Sequence, residues 1–263
     1  MTGTVDLLLT RTRLRGVLVR ARARVRARKL LDTDGYYLEF VGPSGVGKTT
    51  LLDGIKNRVL GDWRYWENIA QLESEIRDDA IDGAMQWQLL YAKARTLEGW
   101  RLNGFRKTLL MRYSSWVALS DIKIFNSQST GGFWLHEGLC QNFSEEINAL
   151  PDEEFSRVMF GRALVFVMPR RSMTVVERIK RRDKEADDIV PHHIGLDEDG
   201  LMRVVEAEIA NCEELARRAE AAGIPICRVF AEDDPAMQAD SVLAFERRIL
   251  TAGAKPAGME EGR

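Results

Sequence analysis

The chain is poor in the residues that build disulfide frameworks and transition-metal sites. Its 263 residues include only three cysteines and three histidines. Cys140, Cys212 and Cys227 are widely spaced in apolar surroundings, so we expect reduced core side chains of a cytoplasmic protein. Because histidine is so scarce, a zinc cluster is not expected. Apolar runs of about 18 residues are also absent, so no transmembrane helix is expected.

Acidic residues are missing from one segment near the start of the chain. Residues 11–29 carry eight arginines and one lysine without an acid, which gives this segment a charge of +9. Because the net charge of the whole chain is −2, the remaining residues carry a net charge of −11. Leucines and valines lie between the arginines, which predicts a basic amphipathic helix over residues 1–32. An anionic membrane surface is the expected partner of this helix. Nucleic acid, the acidic remainder of the chain and an organellar transit peptide are the alternatives.

One run carries a specific chemical signal. Residues 42–50 read Gly-Pro-Ser-Gly-Val-Gly-Lys-Thr-Thr and satisfy the phosphate-loop pattern G-x-x-x-x-G-K-[ST]. A strand-like run at 36–41 precedes it, and a helical pattern at 49–60 follows. This context predicts backbone N–H groups that face the phosphates of a nucleotide. The predicted nucleotide contacts are Gly42, Ser44, Gly45, Val46, Gly47, Lys48, Thr49 and Thr50.

The side chains of the loop indicate ATP with Mg²⁺ as the bound species. Lys48 can reach the β- and γ-phosphates as a point charge, and the hydroxyl of Thr49 can ligate the magnesium ion. Glu137 follows a short strand-like run at 133–136, so its carboxylate is the second candidate magnesium ligand.

From residue 36 onward, strand-like and helical runs alternate. Further strands are expected at 63–66, 133–136, 163–168 and 224–230. Helices are expected at 82–116, where a break is predicted near Asn103, and also directly after residue 168, at 201–222 and at 235–250. The alternation predicts an α/β domain over 33–252, in which helices flank a parallel P-loop sheet. A helical insertion is expected at about 69–128, a lid at about 169–195, and a disordered tail at 253–263.

The predicted insertion is rich in aromatic residues and arginines. We interpret it as the wall of an acceptor pocket, and the alternative is that its aromatics are ordinary core. The residues concerned are Trp87, Tyr91, Trp100, Arg101, Phe105, Arg106, Arg112, Tyr113 and Trp116.

Residues 168–185 resemble the lid of the nucleoside and nucleotide kinases, notably thymidylate and deoxynucleoside kinases. In that lid a strand ends near a proline and leads to a helix with the pattern E-R-I-x-x-R, which residues 177–182 match. The resemblance implies that Arg178 and Arg182 stabilise the transferring phosphoryl group when the lid closes. Asp183 departs from the glycine that often follows. Alternatively, the run is a solvated basic helix end.

Three further runs are similar to the same kinases. Glu67 follows the second predicted strand, where the resemblance implies a catalytic base, although a helix cap or a surface acid fits equally. Residues 85–91 resemble a glutamine-bearing helix that reads the nucleobase. Residues 135–139 resemble the pattern D-E-G-L, with His136 in place of the aspartate.

Together these features predict an ATP-dependent kinase that moves the γ-phosphoryl group to a hydroxyl or phosphate of a small molecule. The alternatives are a P-loop ATPase or GTPase module that acts with a protein, membrane or nucleic-acid partner, and a degenerate nucleotide-binding scaffold. The guanine-binding run N-K-x-D is absent. Residues 42–52 look like the loop of ABC transporter ATPases, but an LSGGQ-type signature upstream of the acidic strand end is absent as well. The expected location is the cytoplasm, peripheral to the membrane.

Overall fold

The computed structural model describes residues 37–56, 58, 64–65, 83–126, 132–185, 193 and 195–253. The predicted basic helix at 1–32, the candidate base Glu67 and residues 254–263 of the predicted tail lie outside these residues. Within the described chain, no helix is both long enough and apolar enough to cross a membrane.

Five parallel strands form one sheet in the order β2-β3-β1-β4-β5. The strands are β1 Tyr37–Val41, β2 Arg64–Tyr65, β3 Phe133–Leu135, β4 Arg162–Met168 and β5 Ile226–Phe230. After β1 the chain builds β2 and β3 on one side, and it then crosses to build β4 and β5 on the other. The strand order therefore reverses at β1, and ligands of open α/β sheets bind at the carboxyl ends of the strands beside such a reversal.

Nine helices connect and cover these strands in the described chain. They are α1 Lys48–Ile55, α2 Ala84–Gly99, α3 Gly104–Asn126, α4 Leu139–Asn142, α5 Ser144–Asn148, α6 Asp152–Met159, α7 Ser172–Glu185, α8 Glu198–Ala221 and α9 Pro235–Gly253. The predicted α/β class, with a parallel sheet flanked by helices, is confirmed.

The sheet is buried on both faces, which the apolar run of β4 indicates. Ala163, Val165 and Val167 pack into a core with α1, α7 and α9. The alternate residues of the same strand pack on the opposite face with α4–α6 and α8. All three cysteines are buried and free, as predicted.

Most helix ends fall close to the sequence prediction. The break between α2 and α3 lies at residues 100–103, but α3 continues beyond the predicted end at residue 116. The Asp197 carboxylate caps α8 by accepting the Gly200 N–H at 2.8 Å. Helix α9 runs to Gly253, so the predicted tail is wrong by one residue at its start.

Candidate functional site

The phosphate loop leaves β1 at the sheet's carboxyl edge and leads directly into α1. Gly45 and Gly47 have φ values of 79° and 110°, in the left-handed region that favours glycine. At Gly42 a Cβ atom would lie 2.2 Å from the backbone oxygen of Val167. The glycines of the motif are therefore required by the backbone path and by its close approach to β4.

Lys48 is held against the loop that precedes it. Its Nζ donates to the carbonyl oxygens of Gly42 at 2.7 Å and of Pro43 at 3.2 Å. Burial lowers the pKa of Lys48, and the nearby Arg182 adds to this effect, whereas the carboxylates of Glu208 and Glu137 oppose it. The ammonium group thus lies near charged residues of α7, α8 and the segment between β3 and α4.

The start of the loop is tied to the sheet by Gln141 on α4. The Gly42 N–H donates to Gln141 Oε1 at 2.8 Å, and the Gln141 N–H donates to Glu39 Oε1, also at 2.8 Å. Glu39 belongs to β1, so two hydrogen bonds connect the phosphate loop to a buried carboxylate in the central strand.

Glu39 is part of a fully buried charge cluster. Arg162 Nη2 lies 2.6 Å from Asp121 Oδ1, and Arg162 Nη1 lies 3.6 Å from Glu39 Oε2. Arg162 Nε donates to the carbonyl of Val158 at 2.8 Å. Burial raises the pKa of Glu39 to about 7, although Arg162 opposes the shift. Gly138 leaves room for this carboxylate, because a Cβ there would lie 2.5 Å from Glu39 Cδ.

The two arginines predicted from the lid resemblance occupy different environments. Arg178 Nη1 donates to the carbonyl of Val46 within the loop, and Nη2 donates to the carbonyl of Ala231 at 2.9 Å. In Arg182, Nε and Nη2 are buried and make no hydrogen bond within the part of the chain that the structure describes. Buried N–H groups require acceptors, so Arg182 is the better placed of the two to meet an added anion.

A cavity of about 1520 Å³ joins these groups. It is lined by every residue of the loop named above, by Glu137, Arg178 and Arg182, and by Trp100, Arg101, Arg106 and Tyr113 of the insertion. The structure therefore brings the predicted site residues together, apart from Glu67, which is outside the described residues.

The candidate magnesium ligands suit a hard cation. Glu137 lies two residues beyond β3 and accepts a hydrogen bond from the hydroxyl of Tyr113. Burial, with the neighbouring Glu137 carboxylate, raises the pKa of Tyr113, which keeps this hydroxyl protonated. Thr49 lines the same cavity. The described residues hold no cluster of three or more His, Cys, Asp or Glu. One hydroxyl and one carboxylate match Mg²⁺ bound chiefly by phosphates and water.

Five of the six aromatic residues named in the insertion divide into two groups. Trp100 and Tyr113 line the cavity. Trp87, Tyr91 and Phe105 do not line it and are 71%, 66% and 72% exposed, so for these three both the pocket-wall interpretation and the core alternative are wrong.

Sequence reasoning did not select Gln141 or Glu208. Gln141 lies four residues beyond Glu137, on the helix that leaves the sheet's carboxyl edge, and this placement is a usable signal. Glu208 lies in the middle of α8, where the sequence shows only a polar residue on an amphipathic helix.

The sequence matches no protein-family model. It also matches no curated protein sequence. Among solved structures, a deoxyadenosine kinase from M. mycoides with bound dATP matches this chain with a TM-score of 0.37 and 13% identity. The match covers 80% of this chain and 97% of that chain. The function considered below is therefore argued from the strand order, the phosphate loop and the cavity of this chain itself.

Proposed function

We propose that this protein is an ATP-dependent kinase that transfers the γ-phosphoryl group to a small-molecule acceptor. The observation that carries the proposal is the pair of buried, unsatisfied nitrogens Nε and Nη2 of Arg182, which shares one cavity with the phosphate loop and Lys48. Two cations and a row of backbone donors around one space favour a polyanion there.

The size and composition of the cavity support a second ligand. Pockets for single small molecules have volumes of about 300–1,000 Å³, and this cavity is larger, at about 1520 Å³. It extends from the loop to the insertion, where Arg101 and Arg106 line it together with Trp100. Planar and cationic side chains at that end suit an acceptor that carries a ring and a negative charge.

Each residue has a defined task in the proposed transfer. The loop N–H groups hold the β-phosphate, and Lys48 exchanges its carbonyl partners for phosphate oxygens. Thr49 and Glu137 would hold the magnesium ion, which neutralises phosphate charge. Arg182 stabilises the charge that develops on the transferring phosphoryl group.

Arg178 and Glu67 enter the proposal through the kinase resemblance. Arg178 supports the loop through the Val46 carbonyl, and its predicted contact with the phosphoryl group would require it to leave that partner. Glu67 is proposed to accept the proton of an acceptor hydroxyl or to orient that hydroxyl.

The first experiment is nucleotide binding by Lys48→Ala, measured by calorimetry with ATP and Mg²⁺. Loss of the cation is expected to weaken binding by about 100-fold, since charge-assisted hydrogen bonds are lost. Lys56→Ala, at the opposite end of α1, removes the same charge away from the loop and serves as the control. Equal ATP affinity in wild type and Lys48→Ala would contradict the proposal.

Product analysis separates the kinase from the alternative ATPase or GTPase module. A kinase yields ADP and a phosphorylated acceptor, whereas an ATPase releases inorganic phosphate. Candidate acceptors are nucleosides, nucleotides and sugars. They can be screened by thermal shift in the presence of a non-hydrolysable ATP analogue, because ligands of the native state raise its Tm.

A further inference from the structure

The phosphate loop already receives an anionic side chain of the protein itself. The Ser44 N–H donates to Glu208 Oε2 at 2.8 Å, a contact between the loop and the middle of α8. Glu208 also lines the same cavity as Lys48, and its negative charge favours the charged form of that lysine. One carboxylate therefore accepts a hydrogen bond from the loop backbone and adds negative charge beside the cation of the loop.

A carboxylate and a phosphate cannot use these groups at the same time. Backbone N–H groups of such loops serve anions, and a donor occupied by one anion is not free for a second. In addition, the negative charges of the carboxylate and of a phosphate bound to the same loop repel each other. This competition rests on the proposed function, namely that the loop binds the phosphates of a nucleotide.

The opposite oxygen of the same carboxylate faces a second segment. Glu208 Oε1 lies 3.9 Å from Nε2 of His193, a buried residue that follows α7 and precedes α8 in the chain, within the segment predicted to form the lid. The Glu208 carboxylate thus lies between the phosphate loop and His193.

We propose that Glu208 is an internal competitor of the nucleotide, which sets ATP affinity by occupying the Ser44 N–H until phosphates displace it. The carboxylate weakens the binding of phosphates to the loop. Because the phosphates displace it, nucleotide binding also changes the contacts of α8 and His193. Removing its charge makes the loop a stronger phosphate site.

Glu208→Gln tests this competition, because the amide is nearly isosteric and neutral. Affinities for the non-hydrolysable ATP analogue and for inorganic pyrophosphate are measured by calorimetry. We expect both ligands to bind Glu208→Gln about tenfold more tightly than wild type. Glu208→Ala, which also removes the acceptor oxygen, is expected to change affinity in the same direction. Thermal unfolding verifies that each variant is folded.

Glu206→Gln is the matched control. Glu206 lies two residues earlier on α8, is exposed, and loses the same charge on substitution. Glu206→Gln is expected to bind the ATP analogue and pyrophosphate with the affinity of wild type. The control therefore separates the effect of a changed net charge from the effect of losing the contact between Glu208 and Ser44.

The outcomes distinguish this inference from the proposed function. Unchanged or weaker binding by Glu208→Gln and Glu208→Ala, with binding lost in Lys48→Ala, overturns the competition and leaves the nucleotide site intact. An equal gain in Glu206→Gln also overturns it. If wild type, Glu208→Gln and Lys48→Ala all fail to bind either ligand, both proposals are wrong.

Discussion

The buried carboxylate of Glu39 predicts a specific pH dependence of stability. It lies within β1, fully inaccessible, and its pKa is raised from 4.5 to about 7 mainly by burial. Glu39→Gln removes the ionisable group while the amide oxygen can still accept the Gln141 N–H. The free energy of unfolding of wild type, minus that of Glu39→Gln, isolates the titration of this one residue.

The sign and size of the effect follow from proton linkage. Because the pKa is higher in the folded state, folded protein holds more protons than unfolded protein between pH 4.5 and about 7. Raising the pH through this window therefore destabilises wild type relative to Glu39→Gln. The shift from 4.5 to about 7 amounts to ~3 kcal/mol, at 1.36 kcal/mol for each unit of pKa.

Urea unfolding at closely spaced pH values measures this difference. It is expected to fall by ~3 kcal/mol from pH 4.5 to 7.5 and to be constant above that range. Glu206→Gln, which changes an exposed carboxylate, is the control and should show no such slope. A difference between wild type and Glu39→Gln that does not vary with pH would refute the reasoning. It would mean that Glu39 keeps an ordinary pKa beside Arg162.

Two further predictions concern the lid arginines and the basic segment. Arg182→Ala is expected to lower turnover by about 10²–10⁴-fold with little loss of ATP affinity, whereas Arg178→Ala should also lower Tm, since two carbonyls lose their donor. Steady-state kinetics, calorimetry and thermal unfolding measure these effects, and full turnover in Arg182→Ala would contradict the assignment. Full-length protein is expected to float with anionic liposomes, whereas a variant lacking residues 1–31 should not. If the full-length protein binds neither anionic vesicles nor DNA at low salt, the proposed binding of the basic segment to an anionic partner is wrong.

Local patterns were sufficient to predict most of the fold. The phosphate loop, the apolar run of β4 and the helical pattern at 201–222 are signals within a short stretch of chain. The order of the strands could not be predicted in this way, because it depends on pairings between segments that are distant in the sequence. Alternation of strands and helices predicted a parallel sheet without indicating that β1 lies between β3 and β4.

The candidate site shows the same division. Residues of the loop could be named because their spacing is fixed by the backbone. Glu39 reads as one polar residue in an apolar strand, and its burial follows only once helices cover both faces of the sheet. Its partners Asp121 and Arg162 come from α3 and the start of β4. The contact between Ser44 and Glu208 joins two parts of the chain that no local pattern relates.

The path from Gly42 through Gln141 to Glu39 has a consequence for protein engineering. Replacing a buried charge cluster with apolar residues of similar volume is often neutral or stabilising. Applied to Glu39, Asp121 and Arg162, such a redesign would remove the acceptor that orients Gln141, and with it the anchor of the first loop residue. A thermostability screen would thus favour variants with a looser nucleotide site. Heat resistance and ligand affinity should be selected together in this protein.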